Sequence, residues 1–552
     1  MKTTRRDALL LSATAGVGAV LAGGAAGAFG AGRTESQTPG HCSTPGWAVA
    51  TTQYGKVRGY LDGGVVTFKG VPYGQNTGGD NRWLAAKPPA PWTGERPTLV
   101  YGANCPQSLH DFTAVEQSFL QQWVDGHLGE DMLKLNIWTP GLTGRRPVMF
   151  YIHGGGFSFG SSYELASQEG AQMARHHDVV QVSVNHRLNS LGFLDVSEVG
   201  GEAYAESANV GMTDLVAALR WVRDNIANFG GDPDNVMIYG QSGGGSKVTT
   251  LMGMPSAAGL FHRAGVQSGG GGNPPTSEQA KALTRQVMVE LGLQADDIGS
   301  LKRIEWATLN RAGNVAIAKL NPPRTGFGIG SAPASGARVG WAPILDGKVV
   351  TERSFFKEAP AMSKNIPLLI GSVSEEGNRM SSRPTEQEWE RNLARSLGDD
   401  KAKALIAAMI KAHPHKSIRT LSYGVGGIGQ RNNVQRMAKM QHDLGGAPVF
   451  QYYFTWQSPM LEDAGAWHTA ELAFCFDNTE RCRQGTGNTP QARALATKMA
   501  NAWANFARTG NPSQRGLNWT ATDPIRCQTM VFDDESAMAD DPEGAIRKIL
   551  LT

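Results

Sequence analysis

The stretch Val236-Met237-Ile238-Tyr239 is followed directly by Gly240-Gln241-Ser242-Gly243-Gly244. The four apolar residues predict a buried strand, and the glycines predict a sharp turn from that strand into a helix. In such a turn the residues two before and two after the serine come close together, so a Cβ at either position would collide. Ser242 would then project from a strained turn at the end of a sheet, which is typical of a serine nucleophile.

The pentapeptide alone is weak evidence, because the chain holds 69 glycines among 552 residues. A second Gly-x-Ser-x-Gly match occurs at Gly156-Phe157-Ser158-Phe159-Gly160. Ser158 does not directly follow a strand, since further glycines lie between, so this match predicts a loop. The hypothesis for Ser242 therefore depends on the residues around it.

Strand and helix patterns alternate along the chain. Residues 212–229 and 279–291 have helical spacing of apolar side chains, and strand candidates lie at residues 147–152, 179–184, 236–239, 367–371 and 448–454. This alternation predicts an α/β fold with a large, mostly parallel sheet covered by helices on both faces. Active sites of such sheets lie beyond the carboxyl ends of the strands. Two glycine-rich stretches, 321–340 and 423–432, are interpreted as long loops that rim a pocket.

Charge and cysteine content narrow the function classes. The 52 basic and 49 acidic residues give a net charge of +3 with no long run of one sign, which disfavours a nucleic-acid or membrane-surface partner. The five cysteines include no Cys-x-x-Cys, so neither a zinc site nor a redox motif is expected. Cys475 and Cys482 could close a short disulfide loop, which the sequence does not decide. We expect a small-molecule substrate and no metal or organic cofactor.

The first 28 residues have the features of an export signal. Arg5 and Arg6 precede an apolar run and a small-residue stretch, residues 25–28, and the paired arginines resemble a twin-arginine signal. An uncleaved membrane anchor is the alternative, but the run is shorter than the roughly 20 residues of a spanning helix. Residues 29–46 are predicted to be a flexible linker, and residues 47–552 a single domain. The expected location is periplasmic or extracellular, in a bacterium.

A serine nucleophile needs a base and an orienting acid. His468 lies in a polar loop far downstream of Ser242, and Glu375-Glu376-Gly377 follows the strand candidate at residues 367–371. The resulting chain order of serine, acid and histidine is the order of α/β-hydrolases. The residues alone do not decide whether Glu375 or Glu376 is the acid.

A tetrahedral intermediate also needs backbone N–H donors for its negative oxygen. His153-Gly154-Gly155-Gly156 follows a strand candidate and matches the glycine loops that supply such donors. We expect the amides of Gly155, Gly156 and Gly243 to form this oxyanion hole. A phosphate-binding loop is disfavoured, because Gly245-Ser246-Lys247 has the wrong order for that motif.

With these residues, the chain resembles the type-B carboxylesterase and cholinesterase family of α/β-hydrolases from about Trp47 to near the C-terminus. The matching motifs include Phe68-Lys69-Gly70-Val71-Pro72-Tyr73, residues 130–138, Asn185-His186-Arg187, residues 192–194, residues 209–211 with Asp214, residues 225–226, residues 229–233, Gln267-Ser268-Gly269 and residues 503–512.

The resemblance implies a secreted carboxylesterase with Ser242, Glu376 and His468 as its catalytic triad. The family motif favours Glu376 over Glu375. It also implies that Phe157 and Trp467 line the substrate pocket, although simple packing would explain these two equally well. Further matches are a buried polar network at Ser268 and Glu471, and structural ion pairs Arg82–Glu130 and Arg187–Asp214.

Three departures from the family qualify this expectation. Gln241 stands where many relatives have Glu, which argues against a preference for cationic substrates. Gly243 replaces a commoner alanine, and Met132 replaces a cysteine, so Cys105 is expected to lack its family disulfide. Two alternative functions are compatible with the sequence: the same triad acting on a lactone, carbamate or amide, and a non-catalytic binding member of the family.

Overall fold

The computed structural model describes residues 48–108, 124, 126–321, 338–352, 354–376 and 384–551. These residues belong to one compact unit, Gly40–Thr552. The predicted export signal, residues 1–28, and the predicted linker, residues 29–46, lie outside the described residues. So does most of the predicted loop at residues 321–340.

The centre of the molecule is an 11-stranded sheet. Its strands in chain order are β3 Tyr60–Asp62, β4 Val65–Pro72, β6 Lys134–Thr139, β7 Arg146–Ile152, β8 Val180–Val184, β9 Gly231–Gln241, β10 Arg263–Gln267, β11 Leu368–Val373, β12 Val449–Phe454, β13 Gln528–Phe532 and β14 Ala537–Asp540. A separate three-stranded sheet contains β1 Val49–Thr52, β2 Gly55–Arg58 and β5 Glu95–Pro97. The five strands predicted from apolar runs are β7, β8, β9, β11 and β12.

The spatial order of the large sheet is β14-β13-β12-β11-β10-β9-β7-β8-β6-β4-β3. The strands from β13 to β8 are all parallel, and the antiparallel strands are β14 at one edge and β6, β4 and β3 at the other. The predicted mostly parallel sheet is therefore confirmed. The parallel strands are buried on both faces, which explains why they have continuous apolar sequences.

Helices cover both faces of this sheet, so alternate residues of a strand pack into different cores. In β7, Val148, Phe150 and Ile152 belong to one hydrophobic cluster, and Met149 and Tyr151 to another. The helices are α1 Ala171–His177, α2 Asn189–Phe193, α3 Ser197–Gly200, α4 Val210–Asn225, α5 Gly243–Met252, α6 Ser277–Leu291, α7 Ile298–Arg303, α8 Trp306–Leu320, α9 Glu386–Leu397, α10 Asp399–Ala412, α11 Ile418–Asp443, α12 Leu472–Cys475, α13 Arg483–Thr486, α14 Pro490–Thr509 and α15 Gly544–Leu551.

The glycine-rich stretch 423–432 is part of α11, so the prediction of a loop there was wrong. Glycine disfavours an isolated helix, but tertiary packing overrides that preference here. A Cβ on Gly427 would lie 1.9 Å from the carbonyl oxygen of Ser374, just after β11. The glycine lets α11 lie directly against the chain that leads to the two candidate acids.

Two ion pairs expected of the scaffold are present. Arg187 Nε lies 2.8 Å from Asp214 Oδ2, with both side chains fully buried, and Arg82 Nε lies 2.8 Å from Glu130 Oε2. Cys105, Cys475, Cys482 and Cys527 are free thiols in the described part of the chain. The possible loop closed by Cys475 and Cys482 is therefore not formed.

Candidate active site

Ser242 joins β9 to α5 through the turn that the glycines predict. Its backbone has φ 57° and ψ −123°, a conformation that costs energy for any residue other than glycine. A Cβ on Gly240 would lie 2.6 Å from the backbone of Gly244, and a Cβ on Gly244 would lie 2.0 Å from the carbonyl oxygen of Ile152. The turn is therefore closed only because these positions lack side chains.

Residues 153–160, here called the glycine loop, follow β7 and pack against this turn. A Cβ on Gly154 would lie 3.4 Å from Ser242 Cβ, and a Cβ on Gly243 would lie 2.3 Å from the carbonyl oxygen of Gly156. Gly155 and Gly156 have φ values of 75° and 61°, which favour glycine. The structure thus packs the glycine loop, which contains Gly155 and Gly156, against the turn of Ser242 and Gly243. It places Ser158 within the same loop, away from any strand-to-helix turn.

His468 and Glu376 meet as the sequence predicts. The loop of residues 463–471, here called the histidine loop, follows β12, and Glu376 follows β11. Glu376 Oε2 accepts a hydrogen bond from His468 Nδ1, and Glu376 Oε1 lies 3.3 Å from the backbone nitrogen of Val373. The Glu376 side chain is 8% exposed and that of His468 is 36% exposed. The imidazole is therefore oriented by a nearly buried carboxylate while one side of it stays open.

The other nitrogen of His468 faces the residue before the serine. Gln241 Nε2 lies 3.1 Å from His468 Nε2, and Gln241 is buried. Among the described residues Gln241, rather than Ser242, is the hydrogen-bond partner of this nitrogen. The sequence located Gln241 beside Ser242 but gave no indication of its contact with the histidine, because the two residues are 227 positions apart.

Glu375 points away from the histidine and holds the histidine loop. Its carboxylate accepts hydrogen bonds from Lys416 Nζ and from the backbone nitrogen of Ala466, both at 2.7 Å, and from Ser374 Oγ. Its own backbone nitrogen donates to the carbonyl oxygen of Ala466 at 3.1 Å. The two adjacent glutamates therefore do different work: one contacts the imidazole, and the other fixes the chain two residues before it.

Burial and neighbouring charges shift the pKa values of His468 and Glu471. Burial lowers the pKa of His468, but the charge and hydrogen bond of Glu376, together with the charge of Glu471, outweigh it and raise the pKa above 6.5. Burial and the charge of Glu376 raise the pKa of Glu471 to about 7. Glu471 is fully buried, with Gln267 Nε2 at 3.5 Å, and the hydroxyl of Ser268 is buried without a partner among the described residues.

The two aromatic candidates for the pocket differ in exposure. Phe157 is half-buried, and its ring packs edge-on against Phe193 at a centroid distance of 5.2 Å. Trp467 is only 4% exposed and belongs to a hydrophobic cluster of the core. Packing accounts well for Trp467, whereas Phe157 retains open surface.

One group of side chains in the described residues could offer three ligands to a metal ion. The ligand atoms of His176, His177 and Asp477 lie within 4.8 Å of one another. Asp477 Oδ2 lies 3.0 Å from His176 Nδ1 and 3.3 Å from His177 Nε2, so ordinary ion pairing explains the arrangement. None of these residues belongs to the predicted triad.

Comparison with known proteins identifies the family. The sequence pattern described as "Carboxylesterase family" matches residues 47–545. Para-nitrobenzyl esterase of Bacillus subtilis (strain 168) is 31% identical over 91% of this chain and 98% of its own length. The chain belongs to the carboxylesterase family.

Other members of the carboxylesterase family agree in sequence and fold. Phenmedipham hydrolase of Pseudarthrobacter oxydans is 33% identical over 89% of this chain and 96% of its own. A solved esterase from anaerobic Clostridium hathewayi that can hydrolyse aliphatic aromatic polyesters has a TM-score of 0.76 at 34% identity, covering 91% of this chain and 97% of that one. The protein therefore has the α/β-hydrolase fold and is a carboxylic-ester hydrolase that acts on small esters. No helix in the described residues is long and apolar enough to cross a membrane.

Proposed function

We propose that the protein is a secreted serine carboxylesterase whose triad is Ser242, His468 and Glu376. One observation carries the proposal. The imidazole of His468 has Glu376 on its Nδ1 and, on its Nε2, the residue that adjoins Ser242. This is the orientation that a general base beside a serine nucleophile requires.

In the proposed reaction Ser242 Oγ attacks the ester carbonyl carbon, and His468 Nε2 accepts the hydroxyl proton. Glu376 keeps the other proton on Nδ1 and stabilises the imidazolium that forms. The side chain of Gln241 has to release Nε2 for this step. His468 then donates its proton to the leaving alcohol, and water hydrolyses the acyl-enzyme by the same route.

The negative oxygen of each tetrahedral intermediate would be bound by the backbone N–H groups of Gly155, Gly156 and Gly243. The packing of the glycine loop against the Ser242 turn and the left-handed conformations of Gly155 and Gly156 support this assignment. Phe157 and Trp467 remain predicted pocket residues, with the stronger support at Phe157. Export through residues 1–28, the linker at 29–46 and the single domain at 47–552 rest on the sequence alone.

The test is hydrolysis of p-nitrophenyl acetate by Ser242→Ala, with Ser158→Ala as the matched control from the second pentapeptide. We expect Ser242→Ala to lose at least about 10³-fold in kcat while remaining folded, because the nucleophile is gone. The control should stay within about twofold of wild type. An organophosphate should label the wild type at Ser242, identified by peptide mass. Near wild-type hydrolysis by Ser242→Ala would contradict the proposed function.

A further inference from the structure

Lys247 is a fully buried lysine on α5, five residues after Ser242, and it is the one charged residue of that helix. Lysine is almost never fully buried unless its charge is compensated. No carboxylate among the described residues lies within 4.0 Å of its amino group, although the charge of Glu164 acts on it at longer range. Burial lowers the pKa of Lys247 to about 7. Burying this amino group is unfavourable, so the contacts of Lys247 have to account for it.

The amino group of Lys247 contacts the glycine loop. Its Nζ donates to the carbonyl oxygen of His153 at 3.0 Å and to that of Gly154 at 3.2 Å, and lies 5.8 Å from the centre of the Phe157 ring. Lys247 therefore links α5, the helix that follows Ser242, to the glycine loop that packs against the Ser242 turn.

The geometry of the peptide unit means that the contact of Lys247 with the Gly154 carbonyl also affects the Gly155 N–H. In a trans peptide the C=O of one residue and the N–H of the next point in opposite directions. Fixing the carbonyl of Gly154 on Lys247 therefore fixes the direction of the Gly155 N–H. Without an anchor, a loop of consecutive glycines can rotate this peptide at little steric cost. A rotated peptide would present an oxygen where a donor is needed.

We propose that Lys247 is a positioning residue of the oxyanion hole: by holding the carbonyls of His153 and Gly154, it keeps the N–H of Gly155 turned toward Ser242. This inference rests on the proposed function. His153 Nδ1 also lies 3.1 Å from the Gly154 carbonyl oxygen and supports the same orientation, but Lys247 holds both peptides and belongs to the helix of the nucleophile.

The role predicts a specific kinetic signature. Oxyanion donors act on the charge that develops in the transition state, so their loss lowers kcat and leaves KM nearly unchanged. A general loosening of the core would instead reduce stability and the amount of folded enzyme without that split. Lys247→Met removes the ammonium group and keeps an unbranched apolar chain. Val248→Ala, at the next and equally buried position of α5, is the matched control.

The experiment measures kcat and KM for p-nitrophenyl acetate, together with the affinity for a trifluoromethyl ketone and for the matching methyl ketone. The trifluoromethyl ketone forms a charged tetrahedral adduct on a reactive serine, and the methyl ketone serves as the ground-state probe. We expect Lys247→Met to lose about 10²-fold in kcat and a similar factor in trifluoromethyl ketone affinity, with KM and methyl ketone affinity within about threefold. Val248→Ala should keep all four within about threefold.

A folded Lys247→Met variant with kcat within threefold of wild type, or one that loses kcat but not trifluoromethyl ketone affinity, would overturn the inference. Active Ser242→Ala would instead overturn the proposed function, so the two failures are distinguishable. If Lys247→Met does not fold, a crystal structure of the wild type with a phosphonate on Ser242 decides. The inference requires the phosphonyl oxygen within hydrogen-bond distance of the Gly155 nitrogen while Lys247 still binds the Gly154 carbonyl; any other arrangement overturns it.

Discussion

The glycine loop and the histidine loop follow the carboxyl ends of two parallel strands, β7 and β12, yet one is held by a hydrogen-bond donor and the other by an acceptor. The amino group of Lys247 donates to two carbonyls of the glycine loop, and the carboxylate of Glu375 accepts from the Ala466 amide of the histidine loop. Under the proposed function, a loop that offers N–H groups to the substrate has carbonyls on its other side that need a donor. A loop that presents a base can instead be held by an acceptor at its own amide.

The largest expected effect comes from replacing the carboxylate of Glu376, which accepts a hydrogen bond from His468. Glu376→Gln keeps the shape of the side chain but removes the charge that fixes the tautomer and stabilises the imidazolium. We expect a loss of about 10³- to 10⁴-fold in kcat, measured with p-nitrophenyl acetate. Activity within tenfold of wild type would show that Glu376 is not the triad acid.

A smaller loss is expected from forcing the glycine loop away from the turn. A Cβ on Gly243 would lie 2.4 Å from the backbone nitrogen of Gly156, so Gly243→Ala has to displace this loop. We expect kcat to fall about 10²- to 10³-fold. Gly299→Ala is the control, since its Cβ would meet its nearest atom at an ordinary 3.6 Å. Activity of Gly243→Ala close to that of wild type would contradict this expectation and would show that the glycine loop can move to accommodate the methyl group.

Glu375→Gln tests the anchor of the histidine loop rather than the triad. The amide cannot pair with Lys416 and accept from Ala466 as the carboxylate does, so the loop should loosen without losing the imidazole contact. We expect about a tenfold loss of kcat and about 3 kcal/mol lower stability, the latter measured by denaturant unfolding. A loss as large as that of Glu376→Gln would assign the acid role to Glu375 instead.

The smallest expected change is a displacement of the pH profile. His468 acts as a base only when neutral, and its pKa is raised, so kcat/KM of the wild type should fall as pH drops through a value above 6.5. Glu471→Gln should move this acid limb to lower pH, because the charge of Glu471 contributes to the raised pKa. In Glu375→Gln the acid limb of the kcat/KM profile should stay at the wild-type pH. A wild-type acid limb with its midpoint below pH 6.5 would contradict the raised pKa of His468.

Local sterics made much of the fold and site predictable from the sequence. Parallel strands buried on both faces are apolar throughout, and the turn at Ser242 tolerates only glycine two residues to either side. The positions of His468 and Glu376 followed from chain order and family resemblance. Each of these signals lies within a short stretch of sequence.

The features that were missed depend on contacts between distant segments. Lys247 is an unremarkable lysine in the sequence, and only the packing of α5 against the glycine loop shows what it binds. Glu375 was recognised as a candidate acid, but its anchoring role needs the position of Ala466. The stretch 423–432 was assigned to a loop because helix propensity penalises glycine, whereas contact with β11 decides its conformation.

Gly427 of α11 has a consequence for making this enzyme more heat-resistant. Replacing a helical glycine with alanine usually gains up to about 1 kcal/mol, which makes such positions common targets for protein engineers. At Gly427 the added methyl group would lie 1.9 Å from the Ser374 oxygen, in the segment that carries both glutamates. The clash outweighs the gain in helix propensity, so Gly427→Ala is expected to lower the melting temperature and to displace the segment that carries Glu375 and Glu376. A general rule that replaces helical glycines by alanine would therefore damage both the stability and the proposed site of this protein.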